Sequence, residues 1–195
     1  NKKKKIAIKF ININELKEKK SSSAVKEAKI EVELLKELNE KLTNGCKKNI
    51  VNFIESSTLM VKNREYLLII LEKMDMDLSD YLEEISEKKI KLSIAKKIIK
   101  QITESIKCLH SLGIIYNDLK PDNVLINKNN KSKLTDFNCI LKLEEEDKDE
   151  YDKKYTGCST GSYRSPEQVD TAVSYNLKAD SWQLGILFLC ILQKN

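Results

Sequence analysis

The spacing of apolar residues changes along this chain, and few architectures accommodate that change. From Ile6 to Ile11 the pattern alternates, with Ile6, Ile8 and Phe10 on one face and Ala7, Lys9 and Ile11 on the other. That is the period of a strand buried on at least one side. Ile50 to Ile54 and Tyr66 to Leu71 read as further strands, separated by a polar turn around Lys62 to Arg64. Helical spacing appears from about Ala24 to Leu42, where Val25, Ala28, Val32, Leu35, Leu38 and Leu42 recur on one side. A short helix is expected over Leu78 to Ile85. A long one follows over Ser93 to Ser111, with Ile94, Ile98, Ile102, Ile106 and Leu109 in register and Gly113 placed to end it. Asp180 to Leu192 is apolar on nearly every side after its first turn, as in a helix that runs through the centre of a domain. Strands gather early and helices late, so the chain is expected to be α+β, with a sheet-rich N-terminal part, a mainly helical C-terminal part and a boundary near Glu72 to Asp77.

Composition removes several classes of function. With 195 residues, 41% hydrophobic and 33% charged, the chain is long enough for one globular core. The apolar stretch near Ile186 to Leu192 is too short for a membrane span. The lysine run at the start enters directly on an apolar alternation and carries no secretory signal pattern, so the sequence reads as an internal fragment. The net charge of +5 comes from dispersed lysine, and arginine occurs only at Arg64 and Arg164. Base-reading surfaces favour forked arginines and stacking aromatics, so no nucleic-acid partner is expected. Five cysteines, Cys46, Cys108, Cys139, Cys158 and Cys190, include no Cys-x-x-Cys pair and fit a reducing compartment better than a disulfide framework. His110 is the single histidine; it borders the apolar face of its helix and is read as a packing residue.

Two charges are out of place on these patterns. Lys9 shares a strand face with apolar neighbours, and Glu31 falls inside the apolar arc of its helix, between Ala28, Leu34, Leu35 and Leu38. Lys29, Glu33, Lys36 and Glu40 fall on the opposite side. A carboxylate buried alone costs several kcal/mol, so Glu31 demands a partner. Further on, the short apolar runs Ile114 to Tyr116 and Val124 to Ile126 enclose the loop Asn117, Asp118, Leu119, Lys120, Pro121, Asp122, Asn123. A strand-like piece, Lys133 to Thr135, delivers Asp136, Phe137 and Asn138, and a third segment runs from Thr160 through Ser165, Pro166 and Glu167. Singly, these acids and amides would pass for turn formers and caps.

In this order the segments resemble the eukaryotic protein kinase family, in which HRDLKPxN, DFG and APE motifs succeed one another. The resemblance runs from IAIK at Ile6 to Lys9 through DSWQLG at Asp180 to Gly185. It implies a two-lobed fold truncated at both ends: residues 1–74 as a partial N-lobe from the VAIK-like strand to the hinge, and 75–195 as a partial C-lobe. It implies ATP and Mg2+ as cofactors, with Lys9 on the α and β phosphates and paired to Glu31, the partner the helical pattern requires. Leu71 takes the gatekeeper position, backbone groups of Glu72 and Met74 hold the adenine, and Leu125 completes the nucleotide-binding set. Asn123 and Asp136 are the implied metal ligands, with the hard oxygens that magnesium prefers. Asp118 is the implied catalytic aspartate, Lys120 the cation that offsets charge on the transferring phosphoryl group, and Thr160 the activation-segment threonine. Lys120 with Thr160 marks serine/threonine specificity, hence a protein substrate bearing a Ser or Thr hydroxyl. Asp180 is implied to cap its helix and to hold the catalytic loop backbone.

Three positions depart from the family pattern. Tyr116 and Asn117 replace His and Arg; tyrosine can fill the aromatic slot beneath Phe137, whereas asparagine cannot make the forked pairing by which arginine receives an activation-loop phosphate. The expectation is regulation without that phosphate, with the acidic run Glu144, Glu145, Glu146, Asp147 read as a solvated loop. Asn138 replaces the DFG glycine and is expected to tolerate a left-handed backbone there. Gly45, Gly113, Gly157, Gly161 and Gly185 form no GxGxxG, so the strands of a glycine-rich loop are expected before Asn1. The leading reading is a serine/threonine kinase catalytic domain in the cytoplasm or nucleus, with a pseudokinase scaffold as the alternative. Retention of Lys9, Glu31, Asp118, Lys120, Asn123 and Asp136 favours the enzyme. The sequence sets no oligomeric state.

Overall fold

The computed structural model describes residues 5–18, 22–85, 89–143, 159–170 and 175–193. The chain opens with β1 (Ile6–Asn12), α1 (Ile13–Glu18), α2 (Ser22–Lys41) and α3 (Asn44–Lys47). β2 (Phe53–Val61) and β3 (Arg64–Glu72) follow, and the three long strands form an antiparallel sheet in the order β1-β3-β2. The turn between β2 and β3 places Lys62 and Asn63 at φ 47° and 62°, the left-handed pair that suits the twist of a two-residue hairpin. Ala7, Lys9 and Ile11 face inward, while Ile6, Ile8 and Phe10 stay exposed.

The strand expected over Ile50 to Ile54 lies later. Ile50 and Val51 are buried where the chain crosses between the two parts: Ile50 bridges to Leu134, and the Val51 N–H donates to the Leu134 carbonyl at 2.8 Å. The strand proper runs through Ser56, Ser57 and Thr58, whose solvent-facing polarity hid its period. α1 was not expected either; its short apolar content reduces to buried Ile13, and the Asn12 side chain caps it by accepting from the Glu15 N–H at 3.2 Å.

Beyond the sheet come β4 (Met76–Asp77), α4 (Leu78–Glu84), α5 (Leu92–His110), β5 (Ile114–Ile115), β6 (Val124–Ile126), β7 (Ser132–Leu134) and β8 (Leu141–Lys142). β4, β6 and β7 form a small antiparallel sheet in that order, and β5 pairs with β8. α6 (Pro166–Val169) and α7 (Lys178–Leu192) complete the described chain. α5 buries Ala95, Ile98, Ile102, Ile106 and Leu109, the face that its spacing foretold, and Gly113 at φ 69° turns the chain out of it. α7 buries Ala179, Gln183, Leu187 and Ile191 on one side, while Trp182, Leu189 and Leu192 remain exposed among the described residues. An all-round apolar pattern carries no information about which side is covered. One continuous core joins α2, α5, α7 and the small sheet. No described helix is long and apolar enough to cross a membrane.

The cysteine expectation is corrected. Cys46 in α3 and Cys108 in α5 form a disulfide across 62 residues of sequence, with Cα atoms 5.8 Å apart. The approach of the two helices creates the pair, and no sequence spacing announces it. Cys190 is a free thiol.

Candidate active site

The inward face of β1 carries Lys9 to the centre of a cleft beneath the large sheet. Its Nζ donates to Glu31 at 2.9 and 3.1 Å, to Asp136 Oδ1 at 3.2 Å and to Asn138 Oδ1 at 3.4 Å. Burial opposes the Lys9 charge, but Glu31 and Asp136 outweigh it and raise the ammonium above its ordinary value. Burial also raises the Glu31 carboxyl above its usual range, and Lys9 draws it back only in part. The helical pattern that left Glu31 without a partner is therefore resolved by a strand 22 residues earlier.

Lys9, Glu31, Leu71, Asn123 and Asp136 line a cavity of about 240 Å³ together with Phe137. Next to it, Leu71, Glu72, Met74 and Leu125 line a second cavity of about 320 Å³ that Ala7 and Val51 close from the sides. The Glu72 carboxylate is turned away, accepting from the Asn52 N–H at 2.7 Å and from buried Lys133, so this residue offers the cavity its backbone. Leu71 and Val51 line both cavities, so the hinge-side space adjoins the one that holds Lys9, while Lys73, Asp75, Asp77 and Asp80 make its outer rim polar.

Asp118 sits in the loop after β5. Its Oδ1 accepts from the Thr160 hydroxyl at 2.7 Å and the Thr160 N–H at 2.9 Å. Its Oδ2 accepts from Asn123 Nδ2 at 2.9 Å and pairs with Lys120 Nζ, also at 2.9 Å. Lys120 donates in turn to the Thr160 hydroxyl at 2.7 Å. Burial works to raise the Asp118 carboxyl, yet the hydrogen bonds from Lys120 and Thr160 bring it below the ordinary carboxylate value. Asn123 closes the 3-10 turn Pro121–Asn123 and spends Nδ2 on the Asp118 carbonyl and carboxylate. Its Oδ1 accepts no hydrogen bond from a described residue, so a carbonyl oxygen is free beside the Asp136 carboxylate in the same cavity. Two hard oxygens of this kind suit Mg2+, which keeps water and phosphate oxygens as its remaining ligands.

The backbone that holds these groups is fixed from α7. Asp180, fully buried, accepts from the N–H groups of Tyr116 and Asn117 at 2.8 Å each, and from His110 Nε2 at 2.8 Å. The expected cap is absent: Leu177 precedes the helix, and the Asp180 carboxylate is spent on the catalytic loop. His110 has the structural role its position suggested. Tyr116 packs edge-on to Phe137 with ring centroids 5.7 Å apart, and its hydroxyl donates to the carbonyls of Thr135 and Asp136. Burial and the surrounding carboxylates push this phenol far up, so it remains a donor. The left-handed residues here are Asp136 at φ 55° and Asn117 at φ 72°; Asn138, expected in that region, is not among them and instead contacts Lys9 through its side chain.

Of the eleven site residues, eight line the two adjoining cavities, and Asp118, Lys120 and Thr160 form a cluster joined to them through the Asn123 amide. Sequence reasoning missed Gln168 and Gln183. Both had a signal: Ser165-x-x-Gln168 is a capping-box pattern, and Gln183 lies one turn after Asp180 on the same helix face. The acidic run at Glu144 to Asp147 lies outside the described residues.

The family model for the protein kinase domain matches residues 1–195. The chain belongs to the protein kinase family. Among curated relatives, this kinase domain is similar to the serine/threonine-protein kinase CLA4 of Eremothecium gossypii, 32% identical over 152 residues, covering 75% of this chain and 18% of that protein. It is 31% identical over 138 residues to the mitogen-activated protein kinase sty1 of Schizosaccharomyces pombe, covering 70% of this chain and 36% of the relative. With the CBL-interacting serine/threonine-protein kinase 20 of Arabidopsis thaliana it shares 32% identity over 113 residues, which is 58% of this chain and 25% of the relative. The kinase domain therefore spans a third or less of the length of most of these relatives.

Proposed function

We propose that this domain transfers the γ-phosphate of ATP, held with Mg2+, to serine or threonine hydroxyls of a protein substrate. The observation that carries the reading is the junction of two clusters through Asn123: Lys9, Glu31 and Asp136, which line one cavity with it, and Asp118, Lys120 and Thr160, to which its amide donates. In this reading residues 1–74 are the N-lobe part, residues 75–195 the C-lobe part, and the adenine occupies the slot lined by Leu71, Glu72, Met74 and Leu125. Bound Mg-ATP supplies the phosphoryl group and the divalent charge that offsets it.

The residues of the chain do the rest. Lys9, oriented by Glu31, binds phosphate oxygens; Asn123 and Asp136 offer oxygens to the metal. Asp118 stays ionised because its carboxyl lies below the usual range, which makes it a weak base that orients the substrate hydroxyl and takes its proton late, as a loose transition state allows. Lys120 and Thr160 fix that carboxylate and narrow the approach to a small hydroxyl. A polar set this complete speaks for catalysis over a scaffold role.

The test is transfer from labelled ATP to a generic basic protein, comparing the full chain with Asp118→Ala. The expected loss is about 100-fold or more, with ATP binding retained. Equal rates in the two proteins would reject the enzyme reading.

A further inference from the structure

Lysine is dispersed along the sequence, but the fold gathers it behind the hinge. Glu72 and Lys73 line the hinge-side cavity and also a larger one beyond it, of about 770 Å³. That volume is within the range of ligand pockets, roughly 300–1,000 Å³. Four lysines, Lys5, Lys47, Lys73 and Lys133, line this rear cavity, with Glu72 as the single acid. They come from the residue before β1, from α3, from the residue after β3 and from β7, so only the folded chain brings them together.

The one acid is already engaged. The Glu72 carboxylate accepts from the Asn52 N–H at 2.7 Å and from buried Lys133, which also donates to the Ile50 carbonyl at 3.2 Å. The Lys5, Lys47 and Lys73 ammonium groups have no partner among the described residues. Three like charges thus share one concavity, whose walls focus their field, and an anion placed there offsets their mutual repulsion.

The rest of the lining selects the kind of anion. Phe53 is a buried apolar wall and Ile54, 44% exposed, forms its rim, both at the start of β2, the edge strand of the large sheet. The carboxamides of Asn39 and Asn52 supply donors and acceptors suited to a peptide backbone. Among the described residues no arginine lines the cavity, so the forked grip that suits phosphate is missing, whereas separate ammonium groups suit separate carboxylates.

We propose that this rear cavity is a docking site for an acidic segment of a protein partner. Glutamate or aspartate side chains of the segment meet Lys5, Lys47 and Lys73, and an apolar residue between them covers Phe53 and Ile54. None of the groups assigned to the phosphates or the metal lines the cavity, so docking and phosphotransfer can be measured apart.

The experiment is fluorescence anisotropy on the full chain with a labelled peptide in which glutamates flank a pair of leucines. Saturable binding below about 1 mM is expected, weakening as salt rises from about 0.1 to 1 M and the Debye length shrinks from about 10 to 3 Å. Lys5→Gln/Lys47→Gln should weaken it about five- to tenfold. Lys91→Gln/Lys107→Gln, the same change of charge at exposed positions outside the cavity, should leave it within about two-fold. Replacing both leucines of the peptide by glycine should cost about tenfold on wild-type protein, a comparison that needs no variant to fold. No saturable binding, equal losses in the two variants, or equal affinity for the leucine and glycine peptides overturns the docking site. If inorganic phosphate displaces the peptide at concentrations below the peptide's own Kd, the cavity is a small-anion site and the proposal is overturned as well. None of these readouts uses ATP, so their failure leaves the kinase reading intact, and failure of labelled-ATP transfer leaves docking intact.

Discussion

Lys9→Met probes the ion pair at the centre of the cleft, because its two partners differ sharply in exposure: the Glu31 side chain is 4% accessible and that of Lys9 35%. Removing the ammonium leaves an enclosed carboxylate facing Asp136, with the Phe137 N–H as its remaining support. An uncompensated buried charge costs about 3–5 kcal/mol. Water reaches the Lys9 end of the cavity, and that screening brings the expected loss to about 2–3 kcal/mol. The pH dependence has a definite sign. Without Lys9 the folded-state pKa of Glu31 moves further above its unfolded value, so the folded protein binds the extra proton. The deficit is therefore full at neutral pH and shrinks as the pH falls through the folded value. In Lys9→Met/Glu31→Leu both charges are gone, and apolar groups of similar volume fill the site, so stability should return to within about 1 kcal/mol of wild type. Phosphotransfer should not return, remaining about 100-fold or more below wild type, since no cation is left for the phosphates. Urea unfolding at pH 7 and pH 5, with labelled-ATP transfer on the same samples, measures both quantities. A deficit that persists in the double variant, or is identical at the two pH values, refutes the claim that Glu31 is an enclosed charge neutralised by Lys9.

Other consequences can be measured separately. Glu31 is raised and Asp118 lowered, so the acid limb of kcat/KM for ATP belongs to Glu31 and lies above the ordinary carboxylate range; Glu31→Gln should move that limb to lower pH in a pH–rate profile. Asp136→Ala should abolish the Mg2+-dependent part of the ATP-induced rise in melting temperature while leaving the metal-free melt within a few degrees, because its side chain is 41% exposed. Reducing the Cys46–Cys108 bridge, which spans 62 residues, should lower the unfolding free energy by up to about 4 kcal/mol on the chain-entropy scale, and Cys46→Ser should remove that part of the sensitivity to reductant.

The elements that were legible are those in which one period dominates. α5 buries Ile98, Ile102, Ile106 and Leu109 as its spacing required and leaves Ile94 half-buried, and β1 turns Ala7, Lys9 and Ile11 inward. The most informative signal was a violation: Glu31 on an apolar arc required a partner, and the family resemblance supplied Lys9 as that partner. β2 escaped because one of its faces is in water and carries serines and threonine, so that Ile50 and Val51, apolar but lying in the crossing segment, looked more strand-like than the strand. The disulfide escaped for a different reason. Its closure depends on how α3 lies against α5, a tertiary relation that leaves no periodic trace in either segment.

Backbone strain was legible only in part, and its location bears on how the site is built. Asparagine at 138 suggested a left-handed residue, but the strained positions are Asn117 and Asp136, one in each of the loops that carry the reacting groups. Each is over-determined by buried partners. The Asn117 N–H is fixed on Asp180 and its carbonyl on Gln183, while the Asp136 carbonyl accepts from the Tyr116 hydroxyl. Tyr116 thus links the two loops directly, since its own N–H is also held by Asp180 and its ring packs on Phe137. A left-handed non-glycine residue costs on the order of 1–2 kcal/mol, and the hydrogen bonds that hold it here are shared between the loops. Distorting one loop therefore releases strain in both, which couples the position of Asp118 to that of Asp136. The departures from the family pattern at 116 and 117 fall on this linkage, and both supply neutral donors where the pattern has basic side chains. The basic side chains of the pattern are thus missing from the support of the site at 116 and 117, where the Asp180 carboxylate holds the backbone, while the groups that line the cavity keep their charge.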